Sequence, residues 1–134
     1  FYKVWCPKNN LTWNDRFLNP DGSHPIKTRP YVLRDTITAK VGFIEDATKE
    51  TGRYELYLKW KPVKGRDRGA HVMIIERQKD GNLLWFDPQS GKHGSSKTFN
   101  GFMKSAVPIK ISVLRIDDKI INPKFAERLK KASE

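Results

Sequence analysis

The stretch Gly69-Ala70-His71-Val72-Met73-Ile74-Ile75-Glu76-Arg77-Gln78-Lys79-Asp80-Gly81-Asn82-Leu83-Leu84-Trp85-Phe86-Asp87-Pro88 decides the fold. Ala70 to Arg77 is apolar on both faces, which marks a central strand. Gln78-Lys79-Asp80-Gly81 fits a type I turn completed by a glycine in the left-handed region, a three-residue hairpin connection with a bulge at the glycine. Asn82 to Asp87 then returns antiparallel, and Pro88 ends the strand because proline cannot donate to the ladder.

That turn fixes a register. With Gln78 facing Asn82, His71 falls opposite Gln89 and Asp87 opposite Met73, so His71 and Asp87 share a face as diagonal neighbours roughly 7 to 8 Å apart at the backbone. A two-residue turn at Asp80-Gly81 would slip the pairing by one and throw them onto opposite faces. A histidine backed by a carboxylate is the base-and-orienter half of a nucleophilic triad: the acid fixes the tautomer and the imidazole takes the nucleophile's proton. The same pair also occurs as a satisfied structural contact, and spacing alone leaves both readings open.

Outward from the hairpin, Arg53 to Trp60 alternates, with Tyr54, Leu56, Leu58 and Trp60 on one face, and reads as a half-buried strand. Before it, Ile37, Val41, Ile44 and Ala47 share one helical face over Thr36 to Thr51, with Gly52 placed as a left-handed C-cap. After it, Lys61 to Gly69 is a loop carrying Lys61, Lys64, Arg66 and Arg68. Beyond the hairpin, Ser90 to Lys97 reads as a loop, Phe99, Phe102 and Met103 as a short amphipathic stretch, and Ile109 to Ile116 as a fourth strand. Asn122 and Pro123 are N-cap and first-turn residues of a closing helix with Phe125, Ala126 and Leu129 on one face. Residues 7–30, rich in Pro, Asn, Asp and Ser, read as one long loop pinned by Trp13, Phe17 and Leu18. The expected fold is α+β, an antiparallel β-sheet with flanking helices, in a single domain over residues 1–134.

The 134 residues carry 26 Lys and Arg against 15 Asp and Glu, a net charge of +11, with 37% hydrophobic and 11% aromatic content. This composition is too apolar for a disordered basic tail. The longest apolar runs, Val72 to Ile75 and Leu83 to Phe86, fall far short of the roughly 20 residues of a membrane span. One cysteine excludes an internal disulfide framework, and 3 histidines scattered along the chain with that cysteine do not have the spacing of a four-ligand structural zinc site. No cofactor, metal or membrane partner is expected. The chain opens Phe1-Tyr2-Lys3-Val4 with no initiating Met, and we expect it to be a piece of a longer polypeptide.

The blocks Gly69 to Arg77, Asp80-Gly81-Asn82 and Leu84-Trp85-Phe86-Asp87-Pro88-Gln89-Ser90-Gly91 together resemble the papain-fold toxin family, described as glutamine deamidase toxins. In that family a Gly-His strand precedes an Asn- or Asp-Gly turn and a strand ending in Asp-Pro-Gln-x-Gly; here Ala70 is inserted between Gly69 and His71. Tyr54 to Trp60 looks like the strand before the histidine, and Val113 to Asp118 like a late Arg-x-Asp-Asn segment. The resemblance spans residues 43–121. It implies a papain-like cysteine hydrolase core, with His71 as general base, Asp87 as orienting acid and Gln89 as a polar residue beside the site.

The resemblance places the nucleophilic cysteine on an N-terminal helix, ahead of a basic-aromatic strand that Phe1 to Pro7 resembles. Two candidates follow, a cysteine upstream of Phe1 and Cys6 itself, the latter against a reading as a small buried hydrophobe. The implied reaction is deamidation of a protein glutamine, with peptide cleavage by the same parts as the other outcome. The implied partners are a target protein and a cognate immunity protein. The implied setting is intracellular, by delivery into a target cell's cytoplasm or carriage in a phage particle, since such domains occur in bacterial polymorphic toxins and phage-head proteins.

The charge supports a different class, a non-catalytic basic module contacting nucleic acid or a protein partner, with Lys61, Lys64, Arg66 and Arg68 as the contact residues and Lys92, Lys97, Arg128, Lys130 and Lys131 adding to the field. No zinc-finger, helix-turn-helix or RNA-recognition spacing accompanies it, and a solvated basic surface is the plain alternative. His24 and His93 have no carboxylate at a telling spacing and read as solvated loop histidines.

Overall fold

The computed structural model describes residues 16–25, 31–32, 36–60, 63–66, 69–106 and 108–125. The chain divides into two compact units, Lys27–Asp117 and a second made of Phe1–Ile26 with Asp118–Glu134.

The larger unit is built on one antiparallel sheet. Its strands are β2 (Tyr31–Val32), β3 (Gly52–Trp60), β4 (Ala70–Arg77), β5 (Leu83–Phe86), β6 (His93–Ser95) and β7 (Pro108–Arg115), in the spatial order β2-β7-β3-β4-β5-β6. Two helices, α1 (Ile37–Ala47) and α2 (Ser96–Ala106), accompany it. The alternation of β3 explains its packing, for Tyr54, Leu56 and Leu58 are buried alongside Met73 and Ile75 of β4, Leu83 and Trp85 of β5 and Ile111 and Val113 of β7. Ile44 of α1 and Phe99 and Met103 of α2 complete this core. Each such side chain contributes about 1.5 to 3 kcal/mol by leaving water.

The register of β4 against β5 is the one the turn chemistry predicts: Ile74 pairs with Phe86, Ile75 with Trp85 and Arg77 with Leu83. Gln78 N–H donates to Asn82 O at 2.8 Å, Gly81 N–H donates to Gln78 O at 2.9 Å, and Gly81 has φ of 86°. Only a residue without a Cβ holds that left-handed angle at little cost. Asp80 supports the turn by accepting from the Asn82 amide at 2.9 Å.

Elsewhere the structure revises the expected elements. Helix α1 stops at Ala47, with Thr48 as C-cap, so Gly52 is not a helix cap but the first residue of β3. At the stop, the Thr48 N–H and Oγ1 both donate to Ile44 O, at 3.0 and 2.8 Å, and Arg77 Nε donates to Thr48 O at 2.9 Å, serving a carbonyl the helix leaves open. Thr36 is the N-cap, accepting from Ala39 N–H at 3.2 Å. The stretch 90–97 is not all loop, because His93–Ser95 pairs with β5 and Ser96 opens α2. Pro108 starts β7, where a missing N–H is tolerated.

In the smaller unit, β1 (Phe17–Leu18) pairs with β8 (Ile120–Ile121). Phe17 and Leu18 therefore belong to a strand rather than to a loop over 7–30. Asn122 caps the following turn by accepting from Lys124 N–H at 3.1 Å, as its residue type predicts. Trp13, Ala126 and Leu129 lie outside the described residues.

Candidate active site

His71 stands near the start of β4, on the face that carries Met73 and Ile75 into the core. Asp87 follows the last residue of β5, on the face of Leu83 and Trp85. His71 Nε2 and Asp87 Oδ1 are 2.6 Å apart, with side chains 11% and 8% exposed.

The loop from β5 to β6 holds the acid. Asp87 N–H donates to Lys92 O and Gly91 N–H to Asp87 O, each at 2.8 Å, closing Pro88, Gln89, Ser90 and Gly91 into a tight connection. Its interior donors converge on the carboxylate: Gln89 N–H reaches Oδ1 at 2.9 Å and Ser90 Oγ donates to Oδ2 at 2.7 Å. Burial acts to raise the Asp87 pKa, but the Ser90 hydroxyl, His71 and the Gln89 amide outweigh it and hold the carboxyl below its ordinary value. Asp87 is thus an ionised, acceptor-only group.

The tautomer of His71 follows. A carboxylate offers no proton, so Nε2 carries the hydrogen of the 2.6 Å bond. In the neutral ring, Nδ1 then holds the free lone pair, the feature a general base needs.

His71 opens onto a cleft of about 530 Å³ lined by Trp60, Asp87, Gln89, Ser90, Phe102 and Ser105. Trp60, at the end of β3, stacks on the imidazole with ring centroids 5.9 Å apart. Phe102 and Ser105 come from one face of α2. The arrangement is a base fixed in one protonation pattern at the wall of a half-polar cleft, suited to accepting a proton from a nucleophile placed against Nδ1.

A search for matching protein families finds none, and no curated protein matches. Among solved structures, the crystal structure of the Pseudomonas avirulence protein AvrPphB matches with a TM-score of 0.51 and 13% identity, over 68% of this chain and 50% of that one. The fold is papain-like. This chain spans half the length of AvrPphB.

Of the predicted site residues, His71, Asp87 and Gln89 come together. Gln89 serves the acid through its backbone and lines the cleft. Cys6, Lys61 and Arg68 lie outside the described residues. Lys64 and Arg66 are exposed on a reverse turn in which Val63 and Arg66 exchange both backbone bonds, at 3.1 and 3.0 Å. Lys64 and Gly65, with φ of 52° and 73°, give that turn the type I′ form.

His93 is exposed on β6 opposite Phe86, in a separate hollow of about 320 Å³ that Glu76 also lines. Glu76 pairs with Arg53 at 3.6 Å. His24 is exposed in the smaller unit. Among the described residues no group of acidic, His or Cys side chains is placed to hold a metal ion.

Sequence reading passes over Ser90, Trp60, Phe102 and Ser105. An Asp side chain commonly accepts from the backbone two residues on, which points to the Gln89 amide and leaves the Ser90 hydroxyl without a signal in the sequence. For Trp60 the signal was its place on the same strand face as Leu58, which pairs with His71.

Proposed function

We propose that this chain is a papain-like cysteine hydrolase domain of the effector or toxin type, acting on the carboxamide of glutamine side chains in a target protein. The observation that carries the reading is the 2.6 Å bond from His71 Nε2 to Asp87, which leaves Nδ1 as the base at the cleft wall. The family resemblance of the Asp87-Pro88-Gln89-Ser90-Gly91 motif and the likeness to the fold of an avirulence protein support the same reading.

In the proposed reaction a cysteine, either Cys6 or one from a segment ahead of Phe1, gives its proton to His71 Nδ1. The thiolate attacks the carboxamide carbon, forming the C–S bond. His71 returns its proton to the departing nitrogen as the C–N bond breaks, and ammonia leaves. A water then attacks the thioester with His71 again taking the proton, and glutamate and the free thiol result. Asp87 stays ionised throughout and stabilises the imidazolium. With a backbone amide in the cleft, the same steps cleave a peptide.

The test is incubation with a library of glutamine-containing peptides, read by ammonia release and by mass spectrometry. Glutamine-to-glutamate conversion that disappears in His71→Ala supports deamidation, and shortened peptides place the activity on backbone amides. Neither product from the wild type, with or without an added N-terminal extension, overturns the hydrolase reading. Loss of turnover in Cys6→Ser would assign the nucleophile to Cys6.

A second reading, a non-catalytic basic module binding nucleic acid, is favoured by one observation: the type I′ turn projects Lys64 and Arg66 into solvent on a chain of net charge +11.

A further inference from the structure

Ser90 is exposed as a residue, yet its hydroxyl is committed twice. Oγ donates to Asp87 Oδ2 at 2.7 Å and accepts the Lys92 N–H at 3.2 Å. A hydroxyl has one proton; with the Lys92 amide on its oxygen, that proton is directed at the carboxylate. The two oxygens of Asp87 are thereby distinguished. Oδ1 is shared by His71, the Gln89 amide at 2.9 Å and, more distantly at 3.4 Å, the Ser90 amide, whereas among the described residues Oδ2 rests on the Ser90 hydroxyl.

We infer that Ser90 is a positioning residue of this site: its hydroxyl locks the second carboxylate oxygen, keeps Oδ1 on His71 Nε2, and so keeps Nδ1 as the ring's free base. The catalytic consequence rests on the hydrolase reading above, but the geometry does not. Without that donor, Oδ2 faces water, the carboxyl rotates more freely and takes up a proton more easily. A carboxylate that turns Oδ1 away from the ring leaves Nε2–H without its acceptor, and the neutral ring's hydrogen is then free to sit on Nδ1. The base is then blocked.

Among the described residues lining the cleft, no further charged group stands beside His71 and Asp87. From β4 the titratable group facing Asp87 is His71; Trp60 of β3 and Phe102 and Ser105 of α2 line the cleft with uncharged groups. Lys92 serves the loop through its backbone. Ser90 occupies the unspecified place in the Asp-Pro-Gln-x-Gly pattern, so the clamp belongs to this chain's own sequence.

The test is nuclear magnetic resonance of the full chain, following the His71 ring nitrogens and the Asp87 carboxyl carbon through a pH titration in the wild type, Ser90→Ala and Ser90→Thr. The wild type is expected to show neutral His71 with its hydrogen on Nε2. Ser90→Ala is expected to raise the Asp87 titration and to bring in the Nδ1–H tautomer, and Ser90→Thr, which keeps the hydroxyl, to restore both. If the hydrolase reading holds, Ser90→Ala also lowers kcat by about tenfold with KM little changed, the loss of one hydrogen bond to a charged group. A Ser90→Ala protein with wild-type tautomer and wild-type Asp87 titration overturns the inference. Should Ser90→Ala not fold, Ser90→Cys, a weaker donor of similar shape, is read the same way. Failure of the hydrolase reading shows separately, as a wild type that turns nothing over while its ring signals still respond to Ser90.

Discussion

Trp60 stacks on His71, with ring centroids 5.9 Å apart and planes 24° from parallel. The imidazole is thereby held on one side by an indole and at its Nε2 edge by the Asp87 carboxylate. Stacking restricts rotation of the ring, and the indole shields the hydrogen bond from water, where a low local dielectric strengthens it. Trp60→Ala should therefore raise the reactivity of His71 toward diethyl pyrocarbonate while costing about 0.5 to 1.5 kcal/mol of stability beyond the lost burial. Trp60→Phe should fall between. Equal modification rates in all three proteins would mean that the stack does not guard the site.

The Asp87 carboxylate serves donors on both oxygens, which makes its isostere informative. In Asp87→Asn, one oxygen must serve His71 and the Gln89 amide while the new NH₂ meets the Ser90 hydroxyl, itself already a donor there. The site then holds two donors face to face. Turnover under the hydrolase reading should drop by about a hundredfold or more, a typical contribution of general acid–base catalysis. His71→Ala should lose at least as much. Full activity in Asp87→Asn would remove the carboxylate's charge from the mechanism.

Of the carboxyls held below their ordinary value, Asp117 and Asp87 bond to groups distant in sequence and so bear on the acid stability of the fold. Asp117 is lowered first by its hydrogen bond from Arg115, against the opposing effect of burial, and then by the Arg53 amide. Asp87 is lowered although burial alone would raise it. A carboxyl whose folded pKa lies below its unfolded value of about 3.8 contributes stability that is complete above that value and is lost as the pH falls through the folded pKa. Stability should thus decline as the pH drops below about 4, and Asp117→Asn should flatten that decline in acid denaturation curves. An unchanged acid limb in Asp117→Asn would show that the Arg115 pair contributes nothing to it.

Arg77 joins three elements at once. Its Nε donates to Thr48 O at 2.9 Å, Nη2 to Glu45 O at 3.3 Å and Nη1 to Gly81 O at 3.0 Å, so one guanidinium serves the C-terminus of α1 and the β4–β5 turn. Arg77→Ala should cost about 1.5 to 3 kcal/mol in urea unfolding. Arg77→Lys should recover little of it, because an ammonium lacks the planar fork that reaches three carbonyls. Recovery of full stability in the lysine variant would reduce the role of Arg77 to its charge.

These relationships differ in how far the sequence discloses them, for a physical reason. The meeting of His71 and Asp87 was legible because Lys79-Asp80-Gly81 has turn chemistry that fixes a register, and register fixes faces. Ser90 was not, since its hydroxyl reaches Asp87 only through the detailed backbone of a four-residue loop. The stack of Trp60 depends on the register of β3 against β4, across a connection whose length no turn rule specifies. β6 is three residues of His, Gly and Ser, with no alternation to mark it. The pairing of Phe17 with Ile121 joins segments too distant in sequence to leave a local signal.

The basic turn yields the last prediction. Lys64 and Arg66 stand on a backbone held by two hydrogen bonds, so their substitution should leave the fold intact, and any effect reads charge alone. If the chain binds nucleic acid through this turn, Lys64→Glu with Arg66→Glu should weaken binding to mixed-sequence duplex DNA about equally across sequences. It should also reduce the slope of log affinity against log salt by about one for each phosphate that the variant no longer neutralises. Hydrolysis by the wild type should be unchanged in the same variant, because neither residue lines the His71 cleft. A slope identical to that of the wild type would leave the positive charge of this turn with no part in nucleic-acid binding, and would return the basic surface to a role in solvation.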